Sequence, residues 1–419
     1  MKTGIIKSIA AVAALIIASA TVLMAQNGVV TPYSRYGYGL LSDNASAAQR
    51  QMGGVGYAMA SGRQINVMNP ASYARIDSLT FLFDMGVTAT QLWQKETVGG
   101  AEVSDATFGG GLDYVTMQFP LSKRMGMSIG LLPFSSVGYA FGNDIAHGTA
   151  SRQGSGSINE LYAGVAYRPW GGLSLGFNIA YLFGTIFNDT YAITQSGSTS
   201  LYERQLEVRD WYLNIGAQYV QRIGKTDRLT LGLTFSPGKD LHGNTRTYYY
   251  DIDKENPEAS GDNPLAGRYS FASSWGAGVS YEWRSRLLVE ADFTYQPWSN
   301  AKYLDINNNS EGVLTDRYKI AVGLQWQPNP RGSYLRRIQY RLGGNYVRDY
   351  IIVKGNNVRQ YGVSMGFGFP VPGFKSVVNL GVSWLRRQAT PSPLIREDYL
   401  QISLGVNFNE MWFRKNKLY

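Results

Sequence analysis

The chain has 419 residues and a formal net charge of +9, from 39 Lys and Arg against 30 Asp and Glu. It has no cysteine, which excludes disulfides, thiolate sites and a lipid anchor on cysteine. Charged residues are 16% of the chain, below the ~25% of ordinary soluble domains, yet the mean hydropathy is slightly negative, which excludes a helical membrane protein. After the first 25 residues no apolar run is long enough for a spanning helix. Low charge, 48 glycines and 13% aromatics together fit a β-barrel. Basic residues gather in the short turns (Lys123, Arg124, Arg222, Lys225, Arg228, Arg284, Arg286, Arg331, Arg336, Arg337, Lys375) and at Arg414, Lys415 and Lys417. They are not interleaved with aromatics as a nucleic-acid groove requires, so no nucleic-acid partner is expected.

Met1–Ala25 reads as a secretory signal peptide, with Lys2 and Lys7 before the apolar stretch Ile9–Leu23 and a cleavage point after Ala25. Residues 26–77 do not alternate. They carry Ser34-Arg35-Tyr36-Gly37-Tyr38-Gly39, then Met52-Gly53-Gly54-Val55-Gly56-Tyr57-Ala58, then Asn69-Pro70-Ala71-Ser72. The glycines lack the strand–turn–helix context of a dinucleotide site and suit close backbone packing in a confined space. A segment of this size and composition is expected to fold into a barrel lumen as a plug.

From residue 78 to 410 the chain alternates apolar and polar residues in fourteen stretches. They are about Ser78–Thr90, Asp113–Leu121, Gly126–Tyr139, Leu161–Arg168, Leu173–Phe187, Val208–Val220 and Arg228–Ser236. Then come Tyr269–Trp283, Leu287–Trp298, Asp316–Trp326, Arg337–Ile351, Arg359–Phe369, Val377–Leu385 and Tyr399–Phe408. Strands of ~9–11 residues cross a bilayer when tilted. Leu287, Val289, Ala291 and Phe293 point one way, and Glu290, Asp292 and Thr294 the other. A soluble sandwich also alternates, but its strands are usually ~5–6 residues. The fold class is therefore all-β, a 14-stranded antiparallel transmembrane β-barrel with an N-terminal plug. An even count closes the barrel and leaves no edge in lipid.

The connections alternate short and long. Six are short, and the others, around 91–112, 141–159, 188–207, 238–268, 299–314, 352–358 and 387–396, are mostly longer and rich in Gly, Ser, Asn and Asp. Short turns face the periplasm and long loops the outside. Within 238–268 the only aromatic cluster is Tyr248–Tyr250. Residues 411–419 read as a basic periplasmic tail.

The Gly-rich run at Met52–Ala60, the Asn69-Pro70-Ala71 motif and a proline in the third strand, Leu132-Pro133-Phe134-Ser135, resemble the FadL/TodX family of outer-membrane transporters for hydrophobic compounds. The resemblance implies a plugged barrel in the outer membrane, among lipids and lipopolysaccharide. In that reading Gly53, Gly54, Asn69, Pro70 and Ala71 hold the plug and gate the ligand, while Pro133 and Phe134 shape a lateral portal. It implies passive uptake of a hydrophobic, fatty-acid-like small molecule, with no cofactor. The alternative is a barrel of the PorV type, an interaction platform for type IX secretion proteins. Proline in a central strand forfeits a ladder bond, which supports a break there independently.

An enzyme is not expected. His147 and His242 are the only histidines, both in predicted loops, and two distant histidines form no metal site. Glu290 and Asp292 face inward and read as groups that wet the lumen, so neutralising Asp292 is expected to cost little.

Overall fold

The computed structural model describes residues 29–411, apart from 146–147, 195–198, 252–257, 306–309, 311 and 373–374. The proposed signal peptide, His147 and nearly all of the proposed tail lie outside the described residues. Fourteen antiparallel strands form the wall. They are β1 (Thr80–Val98), β2 (Ala101–Pro120), β3 (Met125–Ile145), β4 (Gly148–Tyr167), β5 (Leu173–Thr194), β6 (Thr199–Ile223) and β7 (Asp227–Ser236). The second half is β8 (Ser274–Trp283), β9 (Leu287–Gln296), β10 (Arg317–Trp326), β11 (Gln339–Val353), β12 (Asn356–Pro370), β13 (Val377–Thr390) and β14 (Ile395–Met411). Each pairs with its sequence neighbour, and β14 closes on β1 from Ile395–Glu96 to Met411–Thr80.

The period of two sets which side chains meet lipid. Along β10, Ile320, Val322, Leu324 and Trp326 are exposed, while Lys319, Ala321 and Gly323 are buried. Along β9, Val289 and Phe293 are exposed and Glu290, Asp292 and Thr294 are buried. The same outward row continues through Leu342, Val363, Val382 and Ile402. Tryptophans border it, with Trp170, Trp283 and Trp326 near the short turns and Trp93, Trp211 and Trp275 toward the other end, as interfacial aromatics do. Arginine at Val289 places a charge in this belt. The expected cost is about 2–4 kcal/mol of barrel stability, read by denaturant titration in vesicles. A cost near zero would remove Val289 from the lipid face.

The strands are longer than the sequence rhythm implies. β1 to β6 run 19 to 25 residues. Most of the expected loops at 91–112, 141–159 and 188–207 are paired strand, and β1 turns into β2 at Gly99–Gly100, both with positive φ. Above the membrane both faces of a strand meet water, so nothing imposes apolar alternation there. The expected loop 238–268 is also strand in part. Residues Gly243–Asp251 pair with the upper half of β6 and fold back on Glu258–Pro264. β7 is short and pairs with β6 only from Ile215 to Ile223, and the hairpin takes over that vacated edge. The stretch expected at Tyr269–Trp283 begins its wall strand only at Ser274, and Trp298 leaves β9 for a short 3-10 turn. Before β11 the chain makes one helical turn, Tyr334–Arg337.

Residues 29–77 lie within this wall. They hold two 3-10 turns (Pro32–Arg35, Pro70–Arg75), a two-residue strand (Leu40–Leu41) and one helical turn (Ala47–Arg50). Ser46 begins that turn with a capping box, its hydroxyl accepting from Gln49 and the Gln49 side chain accepting from Ser46 N–H. Tyr33, Tyr38, Met52, Val55, Ala58, Ala71 and Tyr73 are almost wholly buried.

Candidate functional site

The inserted segment is seated by inward-facing glycines of the wall. A β-carbon at Gly176 would lie 2.6 Å from the Pro70 carbonyl carbon, and one at Gly343 would overlap the backbone of Met52 and Gly53. Gly126 likewise meets the Tyr73 carbonyl, Gly232 the Tyr57 carbonyl and Gly405 the Ala47 side chain. These strands surround the segment, so its backbone touches their backbones directly. Only glycine permits that approach.

Polar groups of the wall complete the seat. Asp292 Oδ2 accepts from Gly56 N–H (2.6 Å) and Tyr57 N–H (2.9 Å), and Glu290 Oε1 accepts from Ala58 N–H (2.9 Å). Gln218 Nε2 donates to the Tyr57 carbonyl and Ser280 Oγ to the Ala58 carbonyl. The two acids are buried clamps on the segment's backbone, not wetting groups; one Asp292 oxygen serves two backbone donors, and neutralising it takes the charge from that shared acceptor. Lys319 Nζ donates to Asp43 Oδ2 (2.7 Å), and Arg317 lies 3.4 Å from Asp43 Oδ1. Burial raises the Asp43 carboxyl, but Lys319 and Arg317 more than offset that and hold it at about 2. Arg341 Nη1 donates to the Gln51 side chain (2.8 Å).

The five expected plug residues all meet this seat. Gly53 and Gly54 have φ of 75° and 78°. Gly53 N–H donates to Ser364 Oγ (2.9 Å), its carbonyl accepts from Asn345, and the Gly54 carbonyl accepts from Lys319. Asn69 Oδ1 accepts from Ala71 N–H, opening the turn through Pro70, while Asn69 Nδ2 donates to the Tyr57 carbonyl (2.7 Å). The glycine run and the Asn-Pro-Ala motif are therefore tied to each other.

The wall is discontinuous between β2 and β3. Their ladder runs only from Pro120–Gly126 to Val115–Leu131 and stops. Beyond it the β3 edge pairs with the inserted segment, Leu40 with Ser136 and Leu41 with Ser135. Ser42 N–H donates to the Phe134 carbonyl and Thr31 N–H to the Gly138 carbonyl. The β2 edge is held differently, by an ion pair between Asp113 and Arg50 of the segment (2.9 Å). A cavity of about 540 Å³ lies here, lined among others by Gly110, Gly111, Asp113, Leu40, Leu41 and Pro133. Pro133 sits at a register shift against β4, between Asn159 and Ile158. The proline irregularity is on the β4 side of β3, while the open ladder is on that strand's other side. Phe134 packs on Phe271 and Tyr212, with ring centroids 4.8 and 5.8 Å away.

Phe134 joins an aromatic cluster that sequence reasoning missed. Tyr38, Phe271, Trp298, Tyr303 and Tyr350 pack edge-on or tilted, and Tyr38 is fully buried. Each comes from a different element, so no local run announced it. Beside it a second cavity of about 710 Å³ is lined by Tyr36, Tyr269, Tyr303, Leu206, Arg35 and Arg204. His242 is exposed and leans on Asp210.

Among functionally curated proteins none matches this sequence. Solved structures do match in fold. A Pseudomonas aeruginosa FadL homologue has a TM-score of 0.60 at 12% identity, covering 88% of this chain and 99% of that one. The P. putida toluene transporter TodX gives 0.59 at 16% identity, covering 88% and 98%. The Ralstonia pickettii toluene transporter TbuX gives 0.53 at 12% identity, covering 87% and 98%. The barrel is FadL-like, and the match of residues 5–419 to the family described as BamG shows that the chain belongs to the BamG family.

Proposed function

We propose that this protein is an outer-membrane barrel for passive uptake of small hydrophobic molecules, fatty-acid-like in size and polarity. The ligand enters the aromatic chamber around Tyr36, Tyr269 and Tyr303, passes the stretch 33–41, and leaves sideways between β2 and β3. Arg35 and Arg204 in the chamber suit an amphipathic ligand with a polar end. Residues 29–77 act as the plug. The stretches at Thr31 and Leu40–Ser42, bonded to the β3 edge, act as its inner gate. The observation that carries the reading is the ladder stop at Val115–Leu131 beside a cavity. Unpaired strand edges at membrane depth are tolerated only where they line such a space. The similarity to proteins named as toluene transporters supports the same substrate class.

The test is uptake of radiolabelled dodecanoate by cells that carry the protein in the outer membrane. Gly111→Trp fills the space between the strand edges and is expected to reduce uptake to background. Val289→Trp, on the lipid face of β9, should leave it unchanged. Full uptake through Gly111→Trp would remove the lateral route. A second reading, an extracellular platform for a secreted protein, would lead if the unaltered protein took up no ligand. The hairpin Gly243–Asp251 and Glu258–Pro264, which builds β6 up with polar residues, favours it.

A further inference from the structure

The short-turn mouth of the barrel holds a cluster of arginines that the seat of the plug does not use. Arg75 ends the second 3-10 turn of the inserted segment. Arg168 follows β4, Arg222 ends β6 and Arg228 opens β7. The last three occupy the inward row, in step with buried Ala166, Gln218 and Thr230. They therefore face the mouth and not the lipid. Arg75 Nη2 donates to the Gly172 carbonyl (2.6 Å), while its Nε is buried with no hydrogen-bond partner.

The charges here are not balanced from within. Glu282 takes Arg228, and Asp77 lies 3.6 Å from exposed Arg63. Asp227 accepts from Tyr281 and from the backbone of Arg284. Among the described residues no ion pair reaches Arg75, Arg168 or Arg222. Residues 1–28, 373–374 and 412–419 contain no Asp or Glu, so the undescribed segments that could adjoin this end bring none. Burial, then the facing Arg168, Arg228 and Arg222, lower the Arg75 guanidinium to about 10. Mutual repulsion of this kind is relieved when an anion enters.

We propose that Arg75, Arg168 and Arg222 form a docking site for an acidic peptide segment of a periplasmic protein. Guanidinium forks match carboxylates two bonds at a time. Three of them, from three separate elements around a mouth, require several carboxylates at fixed spacing, which a chain rich in Asp or Glu supplies. Short turns place this face in the periplasm. Because Arg75 belongs to the inserted segment, such a partner would touch the plug directly. The site does not depend on whether the gap between β2 and β3 passes ligand.

The test uses the full chain in phosphatidylcholine nanodiscs and a fluorescein-labelled octaglutamate peptide, with binding read by anisotropy at low and moderate salt. Arg222→Gln, at an exposed position, is expected to weaken binding about ten-fold, and Arg168→Gln added to it should abolish binding. Arg75→Lys keeps the charge but loses the fork, and should weaken binding while heat-modifiable migration stays that of wild type. Arg331→Gln with Arg336→Gln removes equal charge from exposed turn positions and should change nothing. An equal loss in that control, no peptide binding, or wild-type affinity in the Arg168/Arg222 variant would overturn the proposal. So would displacement of the peptide by millimolar inorganic phosphate, which would make the site one for a small anion.

Discussion

Replacing Gly343 by valine is expected to unseat the N-terminal segment while the barrel still forms. A β-carbon at Gly343 overlaps the Met52 carbonyl carbon and the Gly53 nitrogen, and one at the neighbouring Gly323 lies 2.7 Å from the Met52 β-carbon. The obstacle at Gly343 is backbone on both sides, so no rotamer change relieves it. Overpacking usually costs about 1–3 kcal/mol where side chains can shift; here the expected loss of docking free energy is at or above the top of that range. The wall itself bears less of the strain, because β11 pairs with β10 and β12 through this region independently of the segment. The readouts are single-channel conductance in planar bilayers, which should rise as the lumen clears, and proteolysis, which should reach residues 29–77. Gly171→Val is the control, since Gly171 has nothing within 4 Å of its β-carbon position. Wild-type conductance and protection in Gly343→Val would mean that the glycine seat does not hold the segment.

The barrel was legible in the sequence because lipid imposes a strict rule. Rows such as Ile320, Val322 and Leu324 against Lys319 and Gly323 have no other simple reading, and the count of fourteen followed from them. What lay above the membrane was not legible. Residues such as Glu102, Ser104 and Asp105 of β2 are exposed strand with no apolar partner row, and they look like loop. The inserted segment was legible as a stretch apart from the strands, but its seat was not. Glycines stand in the inward rows at Gly323, Gly343 and Gly405, yet each becomes meaningful only with the chain that presses on it. Pro133 pointed to an irregularity in β3 for a physical reason, the missing ladder bond. The stop at Val115–Leu131 lies on the neighbouring ladder and has no residue signature of its own. Glu290 and Asp292 were read correctly as inward and wrongly as idle, since their partners are backbone amides more than two hundred residues away. Amides leave no trace in a side-chain pattern.

Those two acids give the second large effect. Asp292→Ala together with Glu290→Ala should free the segment from β9, with the wall intact. Three N–H groups, of buried Gly56 and Ala58 and half-buried Tyr57, lose their acceptors. A buried donor left unsatisfied costs about 1–3 kcal/mol, so the sum is about 3 kcal/mol or more. Asp292→Asn keeps one oxygen acceptor, loses the charge and puts an NH2 in place of the other oxygen, so it should cost less than the double variant, about 1–2 kcal/mol, in the range by which charged hydrogen bonds exceed neutral ones. A single cysteine at Ala48, which is 3% exposed, reports the outcome in an otherwise cysteine-free chain. Its thiol should label slowly in the wild type, faster in Asp292→Asn and fastest in the double variant. Val289→Arg, one residue away on the lipid face, should behave in the opposite way, lowering barrel stability without speeding the label. If the acid variants weaken the barrel and leave Ala48→Cys protected, the clamp belongs to the wall, and the segment is held by its glycine seat and its remaining polar contacts.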